Sequence, residues 1–450
     1  MRLPKRYKRF MKKIVVMFFV ATAMVNGSCT NEKEQENVQD LGPAVMTDST
    51  DTKEPEDTPN MFTSQAISLT DNERSGVNKV NDFTFTLFKT IAEKGKGKNV
   101  FLSPLSVSYV LGMLSNGATG QTAKEISSLL HIESSNFEGS NRLFQKLISE
   151  LPGTDSNVEL RLANLVAVDK RVTLESTFQK SMEDYYLAKV ASLDFAQHSA
   201  VDYINDWCNR QTEGMIPEIL NYDELYPGMY VSIANAVYFN APWRQSFEES
   251  ETKDEDFTAE DGSKMLLPIM HREDVFHYCD TENYSVVSLK YSKGNKWTMN
   301  ILLPHEGKTV SDVVKTLNMQ SWAAVAKRQV TADVDVKLPR FESNQEYGLN
   351  IIMADMGASS MFKPLNEFPN ICQNTDGFFV SMIKHVAGIK VSEQGTKAAA
   401  VTIAGSDISN GDDGPDGAYI IPFHATRPFI YLIQEASSGA IVFIGAYYGQ

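Results

Sequence analysis

The histidine and carboxylate side chains of this sequence do not match a known metal-binding pattern. His271 and His277 are six residues apart in "HREDVFH". This spacing puts them on nearly opposite faces of a helix, or about 20 Å apart along one face of a strand. The segment Asp412–Gly417, "DDGPDG", lacks the oxygen pattern of a calcium-binding loop and is typical of a flexible acidic turn. We therefore predict no metal site and no cofactor.

Patterns typical of catalysis are also missing from the sequence. It contains none of the GxSxG, P-loop, GxGxxG or HExxH motifs, so we do not expect an enzyme. Cys208, Cys279 and Cys372 are far apart and form no CxxC pair, which argues against a zinc site. We expect buried or partly buried thiols, although one disulfide stays open in an oxidising compartment.

The most unusual segment is Gly395–Gly417, "GTKAAAVTIAGSDISNGDDGPDG", near the carboxyl end. Three alanines lie between threonines, and a run of Gly, Asp, Ser and Asn follows. Apolar segments typical of strands flank this stretch on both sides. The composition indicates a long exposed loop, and because alanine favours helix, part of it could be helical.

The elements that would position this loop predict an α+β fold in one domain. From about Ile67 onward the sequence has no second linker and no repeat. Helices such as "SPLSVSYVLGMLSNGA", with Ser103 as N-cap and Pro104 in the first turn, come before most of the strands. The strands include "RPFIYLIQE" and "AIVFIGAYY", and Ser437–Gly439 predicts a hairpin between these two.

The first residues predict export and lipid attachment. A basic leader precedes the apolar stretch Ile14–Val25, which is too short to span a bilayer and is typical of a signal peptide starting at Met1 or Met11. The sequence "VNGSC" resembles a bacterial lipobox, which implies a signal peptide of residues 1–28 and lipidation of Cys29. Ordinary signal cleavage stays open. Residues 29–66 are acidic and poor in aromatic residues, so we predict a disordered tether.

These features predict a lipoprotein of the bacterial outer membrane. The acidic residues after Cys29 resemble surface-export signals of some bacterial groups, which would expose the protein outside the cell; a plain solvated linker is the alternative. The formal net charge is −15, and no basic stripe follows the first thirteen residues, so we expect no nucleic-acid partner.

Several segments, in the same order along the chain, resemble the serpin family. They are "NVFLSPLSVSYVLGMLSNGATGQTAKEI", "LDFAQHSAVDYINDWCNRQTEGMI", "ANAVYFNAPWRQSF", "VSEQGTKAAAVT", "RPFIYLI" and "GAIVFIGAYY". The resemblance implies a serpin fold over residues 67–450, with three β-sheets, eight to nine helices and an exposed reactive loop over about residues 393–426. It also implies a monomeric inhibitor of serine proteases that is cut in this loop, inserts the loop into its central sheet and is consumed.

The resemblance further implies roles for individual residues. The hinge of the loop would contain Glu393, Gly395, Thr396, Ala398, Ala399, Ala400 and Thr402. A polar cluster beneath the opening sheet, called the shutter, would contain Ser103, Ser106, Asn235 and His385. Trp243 matches the tryptophan of the breach, where the hinge would enter the sheet. Helix capping, a satisfied core histidine and plain core packing are the alternative readings of the shutter and breach residues.

The hinge residues suit insertion as a strand. With a period of two, Thr396, Ala398, Ala400 and Thr402 would point into the protein body, and the charge of Lys397 would point outward. The inward set is therefore small and uncharged, which matters because burying an unpaired charge costs several kcal/mol.

The family register implies a reactive bond between Ser409 and Asn410, with Ile408 as a neighbouring candidate because the loop is longer than usual. These residues favour elastase-like or subtilisin-like serine proteases, and a papain-like cysteine protease stays open. A trypsin-like target is disfavoured, because no Lys or Arg lies between Lys397 and Arg427. The alternative function is that of a non-inhibitory, serpin-like surface protein that binds a ligand or partner.

Overall fold

A computed structural model describes residues 64–132, 137–373, 377–396 and 419–449. These residues belong to one compact unit, Asn60–Gln450. The predicted signal peptide, Cys29 and nearly all of the tether lie outside the described residues. Among the described residues, contacts with the body are already present before the expected start at Ile67: Ser64 forms a β-bridge with Asp155, and the Gln65 N–H donates to the Thr154 carbonyl at 3.0 Å.

Nine α-helices occur in the described part of the chain. They are α1 (Asp71–Lys94), α2 (Pro104–Ser115), α3 (Gly120–Leu129), α4 (Phe137–Glu150), α5 (Ser176–Tyr186), α6 (His198–Gln211), α7 (Val310–Thr316), α8 (Met319–Arg328) and α9 (Asn350–Asp355). Thr70 and Glu73 form a capping box at the start of α1, and α1 ends at Gly95. Among the described helices, none combines the length and apolar character needed to cross a bilayer.

Fifteen β-strands are described, most of them in the second half of the chain. They are β1 (Val100–Leu102), β2 (Glu159–Asp169), β3 (Lys189–Leu193), β4 (Val231–Pro242), β5 (Lys253–Thr258), β6 (Lys264–Asp280), β7 (Tyr284–Lys290), β8 (Trp297–Pro304), β9 (Val330–Pro339), β10 (Phe341–Gly348), β11 (Lys384–Ser392), β12 (Gly395–Thr396), β13 (Ile421–His424), β14 (Phe429–Glu435) and β15 (Ile441–Tyr447). The predicted hairpin joins β14 to β15. The α+β class is confirmed.

The strands pair into two sheets within the described residues, where the resemblance implies three, and the larger one has nine strands. Its order is β1-β15-β14-β8-β7-β6-β9-β13, with β5 also paired to β6. The 17-residue strand β6 makes this sheet continuous, because its start pairs with β5 and its end pairs with β7. The smaller sheet has the order β10-β11-β12-β4-β2-β3.

Helix α2 packs between the two sheets, against β4 and β15. Its predicted start is confirmed, since the Ser103 side chain accepts a hydrogen bond from the Ser106 N–H and Pro104 occupies the first turn. Almost every residue of α2 is buried. The N-terminus of α2 therefore lies in the core, where polar groups need partners.

Candidate functional site at the opening of the six-stranded sheet

The two-residue strand β12 begins a new strand between two long neighbours. Gly395 and Thr396 pair antiparallel with Ser392 and Val391 of β11, and with Pro242 and Ala241 of β4. Gly395 has a φ of +148°, and a Cβ there would lie 2.2 Å from the Ala241 carbonyl oxygen. A glycine is therefore required where the chain enters the sheet.

Described residues at both ends of the predicted loop range 393–426 belong to the folded body. Glu393 and Thr396 are buried, and β12 already belongs to the sheet. At the other end, Ile421–His424 forms β13, which pairs in parallel with β9. Both corrections have the same cause, since these backbone segments find hydrogen-bonding strands beside them. Residues 397–418, which include Ala398, Ala399, Ala400, Thr402, Ile408, Ser409 and Asn410, lie outside the described residues.

Trp243 lies directly beside the entry point of β12. Its backbone N–H donates to the Gln394 carbonyl and its indole Nε1–H to the Ser392 carbonyl, both at 2.9 Å. Its ring stacks on Tyr291 with centroids 4.5 Å apart, and the Tyr291 hydroxyl lies 2.6 Å from Thr396 Oγ1. At this predicted breach, Tyr291 therefore takes part both in the ring stack with Trp243 and in the buried polar contact with Thr396.

Glu393 fixes the chain just before the entry point. Its buried carboxylate accepts hydrogen bonds from the Arg340 guanidinium and, at 2.7 Å, from the Thr252 hydroxyl. Burial alone would raise the pKa of Glu393, but these hydrogen bonds outweigh burial and the pKa is lowered. The carboxylate therefore stays ionised at neutral pH and holds the last turn before β12.

The four predicted shutter residues come together beneath the middle of the sheet. The Ser103 N–H donates to His385 Nε2 at 3.0 Å, and the Ser106 hydroxyl donates to the Asn235 side-chain oxygen. The Asn235 amide donates to Asn164 Oδ1 at 2.7 Å. The cluster joins the N-terminus of α2 to strands β4 and β11, which lie on opposite sides of β12.

His385 is neutral in this cluster. Burial lowers its pKa to about 4. Because Nε2 accepts a hydrogen bond from the Ser103 N–H, the ring proton lies on Nδ1. The ring also faces Tyr347, its partner across β10 and β11, with ring centroids 6.5 Å apart.

Beyond β12 the two neighbouring strands leave an opening in the sheet. The described pairs on their facing edges are those with β12, at Ala241–Pro242 on β4 and Val391–Ser392 on β11. A small cavity of about 50 Å³ lies at the far end, lined by residues that include Ala234 of β4, Lys384 of β11 and Leu114 of α2. The facing strand edges carry backbone donors and acceptors that a further strand can pair with.

Sequence reasoning missed several members of this site. Tyr291, Arg340 and Asn164 come from distant segments, and no local motif marks them as partners of Thr396, Glu393 and Asn235. Asn164 lies within β2, whereas Tyr291 directly follows β7 and Arg340 lies between β9 and β10. Their roles follow from the way the strands are brought together.

The histidines and cysteines singled out by the sequence lie elsewhere. His271 contacts one oxygen of Asp335 at 2.8 Å, and His424 contacts the other oxygen at 2.8 Å. No group of His, Cys, Asp or Glu side chains suited to a metal ion occurs among the described residues. The three cysteines are buried thiols, and burial raises the pKa of each. They lie outside the opening.

Comparison with known proteins gives one consistent answer. The family model "Serpin (serine protease inhibitor)" matches residues 78–449. An uncharacterized serpin-like protein of Thermococcus kodakarensis is 32% identical over 375 residues, which cover 83% of this chain and 85% of that protein. The leukocyte elastase inhibitor of Equus caballus is 30% identical over 378 residues, covering 81% and 97%. The solved structure of human thyroxine-binding globulin has a TM-score of 0.74 and 26% identity, covering 83% and 98%.

Proposed function

Since the chain belongs to the serpin family, we propose that it is an irreversible inhibitor of endopeptidases rather than an enzyme. The proposed targets are elastase-like or subtilisin-like serine proteases, and a papain-like cysteine protease is a further candidate. A target protease would attack the carbonyl of the bond between Ser409 and Asn410, or the neighbouring bond at Ile408. The new amine would leave, and an acyl-enzyme ester, or a thioester with a cysteine protease, would join the inhibitor to the protease.

The register of β12 is the observation that carries this proposal. Gly395 pairs with Pro242 on one side and Ser392 on the other. Seven residues after Gly395 comes Thr402, and seven residues before Pro242 and Ser392 come Asn235 and His385. A strand that continued this register would therefore place the hydroxyl of Thr402 between two shutter residues.

The same register specifies which side chains would be buried. Thr396 points into the core, so Ala398, Ala400 and Thr402 would follow it on the same face. About a dozen inserted residues would each gain a net hydrogen bond of roughly 1 kcal/mol, on the order of 10 kcal/mol in total. Insertion would hold the acyl-enzyme far from its original position before water hydrolyses it.

The hydrogen bonds of the shutter would hold the strands in place until this movement begins. These hydrogen bonds tie β4 and β11 to the N-terminus of α2 on either side of the opening. These bonds must rearrange when the strands part, and an incoming Thr402 hydroxyl offers a new donor and acceptor. Buried polar groups left without partners would cost about 1–3 kcal/mol each, so this replacement matters.

The direct test is incubation with an elastase, subtilisin and papain, followed by denaturing gel electrophoresis. We expect a covalent band at the summed mass of inhibitor and protease. Ala398→Arg should abolish this band and leave clipped protein, because an unpaired buried charge costs several kcal/mol. Ala399→Arg is the matched control: it adds the same charge one residue later, on the outward face, and should keep the band. Equal complex yield in both variants would refute insertion.

The alternative is a non-inhibitory binding protein. The similarity to thyroxine-binding globulin, whose name describes ligand binding, supports this alternative. Such a protein would give only clipped product with every protease, and the clipped form would be no more heat-resistant than the intact one. An inserted loop, in contrast, should raise the heat resistance of the clipped form markedly.

We also propose that the mature protein is a monomer attached to the bacterial outer membrane through a lipid on Cys29. The lipobox-like sequence and the acidic segment after it support this proposal. Metabolic labelling with a fatty acid should mark the wild type and not Cys29→Ser. Labelling of both proteins would refute the lipid site.

A further inference from the structure

Strands β6 and β7 diverge beyond their paired residues, and this divergence, called the fork below, borders a second cavity. They pair only between His277–Asp280 and Ser285–Ser288 among the described residues. Beyond this point β6 follows β9, whereas β7 follows β8. The fork borders a half-open cavity of about 280 Å³, and the segment Arg244–Gln245 forms part of its wall.

The lining of this cavity is positively charged, although the whole chain carries a formal charge of −15. Arg244, Arg272 and Lys290 line it together with one carboxylate, Asp274. Arg244 donates to the Asn295 side-chain oxygen at 2.9 Å. Because this acceptor is a neutral amide, the contact does not balance the positive charge of Arg244. Lys290 has no ion-pair partner within the part of the chain that the structure describes.

Arg272 is partly buried and lines the cavity. Its side chain is 13% exposed, and its guanidinium lies over the rings of Phe247 and Phe276, at 5.0 and 4.7 Å from their centroids. It donates to the Gln245 carbonyl, but its buried Nε has no hydrogen-bond acceptor among the described residues. Asp274 Oδ2 lies 3.6 Å from this Nε. This carboxylate is beyond hydrogen-bond distance, so it balances the charge of Arg272 only in part, and the cationic lining as a whole favours an anion.

Burial and neighbouring positive charges lower the pKa values of the basic groups around this cavity. Burial lowers the pKa of Arg272 to about 10, although the nearby Asp274 opposes the shift. Burial and the neighbouring Arg244 lower the pKa of Lys290, and burial and Lys290 lower the pKa of His277. Arg272 therefore remains charged at neutral pH, and a nearby negative charge would stabilise the charged forms of both Arg272 and Lys290.

We propose that the fork between β6 and β7 is a binding site for a small multivalent anion of the phosphate or sulfate class. Arg244 and Lys290 would bind its oxygens, and the Arg272 guanidinium would face it. Guanidinium and ammonium groups that converge in a partly desolvated cavity are the usual way of binding such oxyanions. The inference does not depend on protease inhibition.

The same wall segment also connects the anion site to the breach. The Arg244 N–H donates to the Lys290 carbonyl at 2.9 Å, and the Trp243 N–H donates to Gln394. The Phe247 N–H donates to the Glu393 carbonyl at 2.9 Å. A bound anion would therefore hold the segment that supports the hinge, and we expect it to raise the thermal midpoint of the intact protein.

The test is isothermal titration of the full chain with inorganic pyrophosphate and with sulfate, in a potassium chloride buffer of matched ionic strength. We expect one site per chain. Lys290→Ala and Arg244→Ala should each weaken binding about tenfold or more, because each removes one charged hydrogen-bond donor. Lys327→Ala, which removes a charge from the exposed side of α8, is the matched control and should bind like the wild type.

A gain-of-affinity variant tests the site from the other side. Asp274→Asn removes the carboxylate that repels an anion, so it should tighten pyrophosphate binding severalfold. Circular dichroism confirms that each variant is folded before titration. The proposal is overturned if the wild type shows no binding at millimolar pyrophosphate, or if Lys290→Ala and Lys327→Ala change the affinity equally.

Discussion

Acidification should lower the free energy of unfolding, because the buried side chain of His385 takes up a proton less readily than the same side chain in the unfolded chain. The Ser103 N–H donates to its Nε2 at 3.0 Å, and burial lowers its pKa to about 4. An exposed histidine titrates near about 6.5, so the unfolded chain takes up a proton at this position first. Between these two values the free energy of unfolding falls as the pH falls, and above about pH 6.5 the stabilisation is fully present.

The size of the effect follows from the two pKa values. Each pH unit that separates them corresponds to about 1.4 kcal/mol, so His385 should cost about 2 kcal/mol of stability by about pH 5 and about 3 kcal/mol near pH 4. Protonation would also place two donors, Nε2–H and the Ser103 N–H, face to face. The shutter should therefore loosen at the same time as the protein loses stability.

The assay is the urea concentration at half unfolding, followed by tryptophan fluorescence between about pH 7 and about pH 5. His385→Gln keeps an acceptor for the Ser103 N–H but cannot titrate, so its midpoint should lack the His385 part of the pH dependence. His198→Gln, at an exposed position, is the control and should keep it. The reasoning fails if His385→Gln loses stability as steeply as the wild type, or if NMR shows the His385 ring titrating near its ordinary value.

Three other contacts lead to shorter predictions. Glu393→Gln should lower the free energy of unfolding by about 1–3 kcal/mol, because it weakens the buried contact with Arg340. The thermal midpoint should fall with it, and an unchanged midpoint would contradict the role of this contact. Asp335→Asn removes the carboxylate that contacts His271 and His424, so limited proteolysis followed by mass spectrometry should find faster cleavage near β13. Since the pKa of Asp335 is lowered, this contribution is present above about pH 4 and is lost as pH falls through the folded value; equal cleavage rates would count against it. In the Cys29→Ser variant, the three buried cysteines should react with Ellman's reagent only after denaturation, and rapid labelling of this variant in its native state would contradict their burial.

Local signals in the sequence were sufficient for the fold class and for individual elements. Ser103 and Pro104 mark the start of α2 because capping chemistry depends on neighbouring residues alone. The alternation of small residues after Gly395 predicts a strand face for the same reason, and Thr396 does point into the core. The order of several long motifs was sufficient to indicate the family, which the match over residues 78–449 confirms.

Only the tertiary structure decided which side chains meet. Tyr291 contacts Thr396 across 105 residues, and Arg340 contacts Glu393 across 53, and neither pair has a local pattern. The ends of the loop were set in the same way, since β12 and β13 exist because β4, β11 and β9 offer open edges. Periodicity fixes the face on which a side chain lies, but its partner depends on how distant strands are ordered and registered, which no single segment encodes.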